Sequence, residues 1–310
     1  MNGATFAATP PASSAAADTG HRERVLAYYE AATADYGAWS RDFNMHFGYW
    51  RRGLDPFDRE ALLQELNLQV LHRMALPTDR VVRVADLGCG TGATARAIVG
   101  CLDAAQVDAV TLSPTQVAMG KARNAALVRG AAIRMHLADY AATSLPDGLY
   151  DAVCLVESAC HAEGPVKQAV LREAHRLLRP GGTLVMVDGM LRGPLRERGW
   201  AGRGVAHLYR SWCRNWAVPE MARLDLLPQA LARSGFEPPL IEDWSWRIAI
   251  SVAHVPLLAS RFAITELWRA RGRLARWRWR HIVASALTPL LGLCRRQFFY
   301  GAVIARKADV

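Results

Sequence analysis

The chain has 310 residues, of which 51% are hydrophobic and 21% are charged. This composition excludes a mainly disordered protein, and the length suits one large α/β domain with appended segments. The formal net charge is +10, but residues 190–310 carry 20 basic against 8 acidic residues, so residues 1–189 are nearly neutral.

The N-terminal segment, residues 1–20, is rich in Ala, Ser, Thr and Pro. It lacks a basic start and a sustained apolar run, so we predict a disordered leader and no signal peptide. The longest apolar runs, Ile248–Ile264 and Ile282–Cys294, are shorter than the roughly 18–20 residues of a membrane span. We therefore expect a cytoplasmic protein without a transmembrane helix, and association with the inner membrane face stays open.

Residues 21–76 predict an N-terminal helical cap. Residues 21–39 and 58–76 have helical spacing of apolar side chains, and the intervening Asp42–Trp50 is irregular and dense in aromatic residues.

Residues 77–189 alternate short apolar runs with helical patterns, which predicts right-handed βαβ units around a parallel sheet. The expected strands are Val81–Ala85, Val107–Thr111, Ala132–Leu137, Asp151–Val156 and Thr183–Val187. The expected helices are Ala93–Val99, Pro114–Val128 and Pro165–Leu178.

Residues 190–310 are expected to hold a substrate cap and the last strands of the core. Leu240–Trp244 and Gly301–Arg306 have strand character, and about 55 residues separate them, far more than a hairpin needs. This separation predicts a helical insertion. The six cysteines are scattered without metal-ligand spacing, so we expect reduced thiols and no metal site.

The first predicted strand runs into Asp86-Leu87-Gly88-Cys89-Gly90-Thr91-Gly92, which opens a helix. Glycines permit a tight turn and a close approach of the backbone to a ligand. This DxGxGxG run, whose acid precedes the first glycine, resembles the cofactor loop of class I S-adenosylmethionine-dependent methyltransferases. A tight turn without a ligand is the alternative. The resemblance implies that Asp86 holds the methionine ammonium group and that Gly88, Cys89, Gly90 and Gly92 pass beside the cofactor.

Together, the alternation and the resemblance predict a Rossmann-like, doubly wound α/β fold. We expect a mostly parallel seven-stranded sheet with the N-terminal cap and the C-terminal helical insertion attached to it.

The second strand ends in Thr111-Leu112-Ser113-Pro114-Thr115-Gln116, without the usual acid. This form resembles the branch that contains cyclopropane fatty acid synthases and the sterol, tocopherol and prenyl C-methyltransferases. The resemblance implies that Thr111, Leu112 and Gln116 bind the cofactor and that Asp139 and Tyr140 contact adenine. Gln116 is one turn into the next helix and would hydrogen-bond the ribose in place of the missing acid. Ser113 as a helix cap and Asp139 as a turn residue are the structural alternatives.

The fourth strand runs into Glu157-Ser158-Ala159-Cys160-His161-Ala162, where a parallel sheet faces its ligand crevice. This stretch resembles a segment of sterol side-chain methyltransferases, as does the N-terminal Tyr28-Tyr29-Glu30 with its downstream aromatic residues. The resemblance implies Glu157 and His161 as catalytic residues and Tyr29 at the cofactor. The residues implied at the substrate are Trp39, His46, Phe47 and Tyr49. Plain packing of the cap is the alternative for the aromatic residues, and a hydrogen-bonded loop position is the alternative for His161.

These residue types suit methylation of an alkene, because aromatic faces stabilise a carbocation and a carboxylate or an imidazole accepts its proton. We expect a small lipophilic acceptor, with C-methylation of an isoprenoid or sterol-like alkene as the main hypothesis. N-, O- or aromatic C-methylation of a natural-product intermediate is the alternative, and a non-catalytic cofactor-binding protein is a third.

Residues 266–281 read as one helix with Arg269, Arg273, Arg276 and Arg280 on one face and Trp277 on another. This pattern is typical of a helix on an anionic membrane. A solvated helix packed on the core and a phosphate-binding lid are the alternatives. Nucleic-acid binding is a distant alternative, since the basicity is confined to this region and no base-methylation motif is present. The oligomeric state is left open.

Overall fold

The computed structural model describes residues 12–269, 271, 273 and 275–309, and the side chains of 20–268, 271, 273, 275 and 278–309. The helices are α1 (Ala12–Ala32), α2 (Arg59–Met74), α3 (Ala93–Cys101), α4 (Pro114–Ala125), α5 (Gln168–Leu177), α6 (Gly199–Asn215), α7 (Leu227–Arg233), α8 (Ala249–Arg269) and α9 (Arg276–Leu293). Short 3₁₀ helices span Thr33–Ala38, Gly130–Ala132 and Ala159–His161. The strands are β1 (Val82–Leu87), β2 (Ala105–Thr111), β3 (Ile133–Leu137), β4 (Tyr150–Val156), β5 (Leu178–Leu191), β6 (Ala222–Arg223), β7 (Leu240–Asp243) and β8 (Phe298–Arg306).

The strands form one sheet in the order β3-β2-β1-β4-β5-β8-β7. The first five strands of this order are parallel, and β8 runs antiparallel to both β5 and β7. The predicted mostly parallel seven-stranded sheet is confirmed, with the two-residue β6 on β5 as an eighth strand among the described residues. The chain reverses its direction of travel across the sheet between β1 and β4, and ligands bind at such switch points.

Two of the predicted helices begin at side chains that cap their first turn. The side chain of Asp58 accepts a hydrogen bond from the Ala61 amide and caps α2, whose Leu62, Leu66 and Val70 are fully buried. Ser113 caps α4 in the same way through the Gln116 amide, with Pro114 in the first turn. The helix-cap alternative for Ser113 is therefore confirmed.

Three expectations differ from the structure. α1 begins at Ala12, inside the predicted disordered leader, and residues 1–11 lie outside the described residues. The single helix over 266–281 is wrong, because α8 ends at Arg269, α9 begins at Arg276, and Arg271 between them has a φ of 49°. Gly272 weakens helix formation at this point of the sequence. The predicted arginine and tryptophan faces rest partly on Ala270, Leu274 and the side chains of Arg269, Arg276 and Trp277, which lie outside the described residues.

The third difference concerns α8. Among the described residues one helix, over Ala249–Trp268, is long and apolar enough to cross a membrane by length and composition alone. It extends the predicted apolar run beyond Ile264. The predicted helical insertion between β7 and β8 is confirmed, since α8 and α9 fill it and pack against each other.

Candidate functional site

A cavity of about 510 Å³ lies at the carboxyl ends of β1, β2, β3 and β4. Nearly all residues predicted at the cofactor line it, namely Tyr29, Asp86, Gly88, Cys89, Gly90, Thr111, Leu112, Gln116, Asp139 and Tyr140. Gly92 is the exception. It is the N-cap of α3, where an added Cβ would approach Met135 and Arg96, so its role is in the turn.

The first glycine of the loop is required by a side chain that the sequence did not single out. Gly88 has a φ of 81°, and a Cβ there would lie 2.3 Å from the Cβ of Ser158. The Ser158 hydroxyl donates to the Leu87 carbonyl at 2.7 Å. Ser158 therefore locks the loop after β1 to the segment after β4, and only glycine leaves room for this contact.

Asp86 is a buried carboxyl that forms no ion pair with any described residue. Its side chain is 1% exposed, Oδ1 accepts from Cys154 Sγ at 3.6 Å, and Oδ2 has no hydrogen-bond partner among the described residues. Burial raises the pKa of Asp86 to about 7. A cationic ligand in the cavity supplies the missing partner, so the site fits the ammonium end of S-adenosylmethionine.

The end of β2 is held by side chains around Gln116. The Thr111 hydroxyl donates to Gln116 Oε1, and Gln116 Nε2 donates to the Thr33 hydroxyl at 3.3 Å. Glu30 accepts hydrogen bonds from the hydroxyls of Ser113 and Thr115 and so joins α1 to this turn. The sequence did not predict this role of Glu30.

Asp139 and Tyr140 form the opposite rim of the cavity. Asp139 Oδ1 accepts from the Ala141 amide at 2.9 Å, which confirms the turn interpretation, and Oδ2 lies 3.7 Å from the Arg22 guanidinium. The Tyr140 hydroxyl donates to the Ser158 carbonyl at 2.9 Å.

A second cavity of about 420 Å³ adjoins the first. Its wall is mainly apolar and aromatic and includes Trp212, Trp216, Met221, Ile248, Val252 and Phe298. Tyr29, Met45, Glu157 and His161 line both cavities and mark the junction between them. The second cavity is apolar, and it meets the more polar first cavity at the Glu157 carboxyl. Such a cavity suits a lipophilic acceptor.

The residues predicted at the substrate separate into three groups. Phe47 lines the second cavity, whereas its neighbour His46 lines the first. Trp39 lines neither of these two cavities but packs against Phe47 with its ring centroid 6.2 Å away. Tyr49 is buried in the core, 5.1 Å from the ring of Trp244.

Glu157 is the polar group at the junction. Its Oε1 accepts both the Phe47 amide at 2.7 Å and the Tyr300 hydroxyl at 2.6 Å, and its Oε2 accepts no hydrogen bond from the described residues. The backbone at Glu157 is in the left-handed region, with a φ of 48°, which costs about 1–3 kcal/mol for such a residue. Burial raises the pKa of the carboxyl to about 8, although part of its surface faces the cavities.

His161 is paired with Tyr29. The Nδ1–H donates weakly to the Ala217 carbonyl at 3.3 Å, so Nε2 carries the lone pair that accepts the Tyr29 hydroxyl at 2.7 Å. Burial lowers the pKa of His161 to about 4, and burial also raises the pKa of Tyr29 well above its usual value. The imidazole is therefore neutral near pH 7, and its Nε2 accepts the hydroxyl of Tyr29, which lines the same two cavities.

Several residues of the site were missed by sequence reasoning. Lys167 is fully buried, and its Nζ donates to the carbonyls of Ala162 and Glu220, which joins the His161 segment to the loop after α6. Asp188 faces the second cavity and accepts the Cys160 amide at 2.8 Å. Trp212 lies on α6 and Trp216 directly follows it, and both line the second cavity. Their spacing of four residues is the signal in the sequence that places them on one helix face.

The titration of Glu157 has a consequence for stability. Since its pKa is about 4.5 when solvated and about 8 in the folded chain, folding takes up a proton between these values. The contribution of this proton uptake to the free energy of unfolding is fully present below pH 4.5, and it is lost as the pH rises through 8. We expect Glu157→Gln to gain stability relative to wild type over this window, by less than about 1.4 kcal/mol per pH unit because cavity water solvates the carboxylate in part. Urea unfolding across the window measures it, and a difference independent of pH would contradict the assignment.

The described residues include no group of three or more His, Cys, Asp or Glu side chains that suits a metal ion. All six cysteines are free, and Cys101 is exposed while Cys154, Cys160 and Cys213 are buried.

The comparisons with known proteins agree with this geometry. A family model described as a methyltransferase domain matches residues 84–182. An O-methyltransferase from Pyrenophora dematioidea is 27% identical over 193 residues, which cover 62% of this chain and 67% of the relative. A sterol 24-C-methyltransferase from Eremothecium gossypii is 28% identical over 238 residues, which cover 74% of this chain and 60% of the relative. The chain thus spans about two thirds of the length of these curated relatives.

Among solved structures, the cyclopropane synthase MmaA2 from Mycobacterium tuberculosis superposes with a TM-score of 0.76, covering 93% of this chain and 98% of that chain. At 16% sequence identity this likeness supports the fold alone.

Proposed function

The chain is a class I S-adenosylmethionine-dependent methyltransferase, and from this premise we propose that it methylates a carbon of a small lipophilic alkene, isoprenoid or sterol-like, in the second cavity. The observation that carries the proposal is the position of Glu157, a carboxyl at the junction of a cofactor cavity and an aromatic, apolar cavity. Transfer to an oxygen or nitrogen acceptor does not call for aromatic faces around the acceptor. An alkene acceptor becomes a carbocation, which an anion and aromatic faces stabilise.

S-adenosylmethionine supplies a methyl group bonded to a positively charged sulfur. In the proposal, Asp86 and the loop after β1 hold the cofactor, and Met45 and Tyr29 stand where the two cavities meet. Walls of aromatic and aliphatic side chains keep water from the acceptor, which protects a carbocation from hydration.

Glu157 stabilises the positive charge that develops on the acceptor. Because the Phe47 amide and the Tyr300 hydroxyl both bind Oε1, the free Oε2 is the atom that carries the remaining charge. A bound sulfonium lowers the pKa of this carboxyl, since an opposite charge nearby favours the ionised form. The aromatic rings of Phe47 and Tyr300, whose centroids lie 6.2 Å apart, add cation–π stabilisation.

The Tyr29–His161 pair provides a path for the proton that the cation loses. In the proposal, the Tyr29 oxygen accepts the acceptor's proton as its own proton passes to His161 Nε2. The imidazole is a weak base in this environment, which suffices because a carbocation is a far stronger acid.

The test is a product assay with S-adenosylmethionine labelled with carbon-13 in its methyl group. The purified chain is incubated with sterols, prenyl diphosphates, aromatic phenols and amines, and products heavier by one methylene are collected and examined by carbon NMR. We expect the labelled methyl of the preferred product to be bonded to carbon. A labelled methyl found only on oxygen or nitrogen would overturn the proposal and favour the alternative that similarity to an O-methyltransferase raises.

A further inference from the structure

The two helices of the insertion expose apolar side chains on their solvent side. On α9 these residues are spaced by four and three positions, so they form one stripe along the helix. They are Trp279, Val283, Ala286, Leu290 and Leu293. On α8, Leu257, Ile264 and Trp268 form a second stripe, interrupted by the exposed Arg261.

The exposure is one-sided. Leu293 is 78% exposed and Trp268 is 83% exposed, whereas Val252 and Ala284 on the other faces of these helices are buried against the domain. A soluble surface helix normally presents polar side chains in these positions. The two stripes are therefore an apolar surface without a partner among the described residues, and we name it the α8–α9 surface.

The α8–α9 surface continues into the second cavity. Leu293 lines this cavity at the end of α9, and so does Trp246, which precedes α8 and is 74% exposed. Both side chains belong to the cavity wall and to the outer surface, so they mark its mouth. A lipophilic acceptor can pass from the surface to Glu157 without leaving an apolar environment.

The charge of the insertion identifies the partner. Residues 249–293 contain seven arginines and one acidic residue, Glu266, which pairs with Arg278. The side chains of Arg261, Arg271, Arg273 and Arg280 are exposed. Arginines that flank apolar stripes with tryptophans are complementary to anionic lipid headgroups above an acyl layer.

We propose that the α8–α9 surface docks on an anionic lipid bilayer, with its apolar side chains in the headgroup–acyl boundary and the mouth of the second cavity against the membrane. The surface replaces the basic face first predicted at residues 266–281. Entry of the acceptor by this route rests on the proposed function, whereas the docking itself does not.

The packing of α8 favours lying on the bilayer over crossing it. The Ser251 hydroxyl accepts the Gly48 amide at 2.7 Å, and Glu266 binds Arg278, which also pairs with Asp35 before α2. These contacts hold both ends of the helix to the domain.

The experiment is flotation of the full chain with vesicles, without any acceptor. One vesicle is an equimolar mixture of phosphatidylcholine and phosphatidylglycerol, and the other is phosphatidylcholine alone. We expect binding to the anionic vesicle, and we expect the double variant Val283→Gln/Leu290→Gln to bind it at least about tenfold more weakly, because two apolar side chains lose their burial. Neither residue lines the second cavity.

The matched control is Val81→Gln/Val128→Gln, which changes two valines exposed by 54% and 104% elsewhere on the chain. We expect this variant to bind like wild type. Equal loss in both variants, or equal binding of wild type to neutral and anionic vesicles, overturns the proposal. So does a dimer in solution that only Val283→Gln/Leu290→Gln dissociates, or retention on duplex DNA in place of vesicles. Cofactor binding by calorimetry confirms that each variant is folded, so a failure here is separate from a failure of the product assay.

Discussion

A Glu157→Gln enzyme is expected to lose at least about 100-fold in the rate of methyl transfer and still to bind S-adenosylmethionine, with an affinity no more than about tenfold below wild type because one charge opposite the sulfonium is lost. The amide oxygen of Gln can still accept the Phe47 amide and the Tyr300 hydroxyl, so the side chain keeps its place. What the substitution removes is the negative charge on Oε2. Initial rates with labelled cofactor measure the loss, and calorimetry measures the binding.

The pH profile separates this role from a structural one. Because burial raises the pKa of Glu157 to about 8 and the cofactor lowers it again, wild-type activity should rise with pH to a plateau reached below 8, and the Gln variant should lack this rise. Tyr29→Phe removes a hydroxyl from the same junction without removing charge. Because in the proposal the cation loses its proton after the methyl group has been transferred, we expect this variant to lower the rate of methyl transfer by no more than about tenfold. A Gln variant that turns over near the wild-type rate would falsify the role of Glu157.

The second large effect is expected in Asp86→Asn, which should weaken S-adenosylmethionine binding by on the order of 100-fold. The carboxylate is 1% exposed, and its Oδ2 has no partner among the described residues, so a cation bound there is its compensation. Since the pKa of Asp86 is about 7 before binding, a bound cation expels a proton. Wild-type affinity should therefore increase with pH through 7, and the affinity of the Asn variant should not.

Asp139→Asn is the matched control for this prediction. It changes another carboxylate of the same cavity, but one that is partly exposed and already accepts the Ala141 amide. We expect a loss of no more than about tenfold. Calorimetric titrations of both variants over a range of pH decide the matter, and equal losses would show that Asp86 has no special role.

The sequence predicted correctly those features that depend on residues close together in the chain. The strand, the glycine loop and α3 were predicted together because Asp86 to Gly92 lie within one short segment. Glu157 was predicted because a carboxylate directly follows a buried apolar strand. The helical insertion followed from the distance between two strands.

Most residues of the second cavity could not be predicted from the sequence, because they are distant along the chain and come together only through the order of the strands and the packing of the helices. Tyr300 reaches Glu157 from 143 positions away, since β8 lies on the far side of β5 from β4. The helical spacing of Trp212 and Trp216 marks them as neighbours on one face, but the packing of α6 against α9 that brings them to the cavity is not encoded in any local pattern. Tyr49 was predicted at the substrate but lies in the core. The sequence pattern around an aromatic residue is the same in a core and in a pocket.

The place of β8 between β5 and β7 has a consequence for the order in which the chain folds. β7 leaves the ribosome before β8 but has no partner in the sheet until β8 arrives, more than fifty residues later. Until then the long edge of β5 is unpaired, and such edges invite wrong association. Because β8 also carries Tyr300, the same event that closes the sheet places the hydroxyl on Glu157. A nascent chain can thus shape its cofactor loop early, while the Glu157 carboxyl gains its hydrogen bond from Tyr300 only when the last strand is inserted.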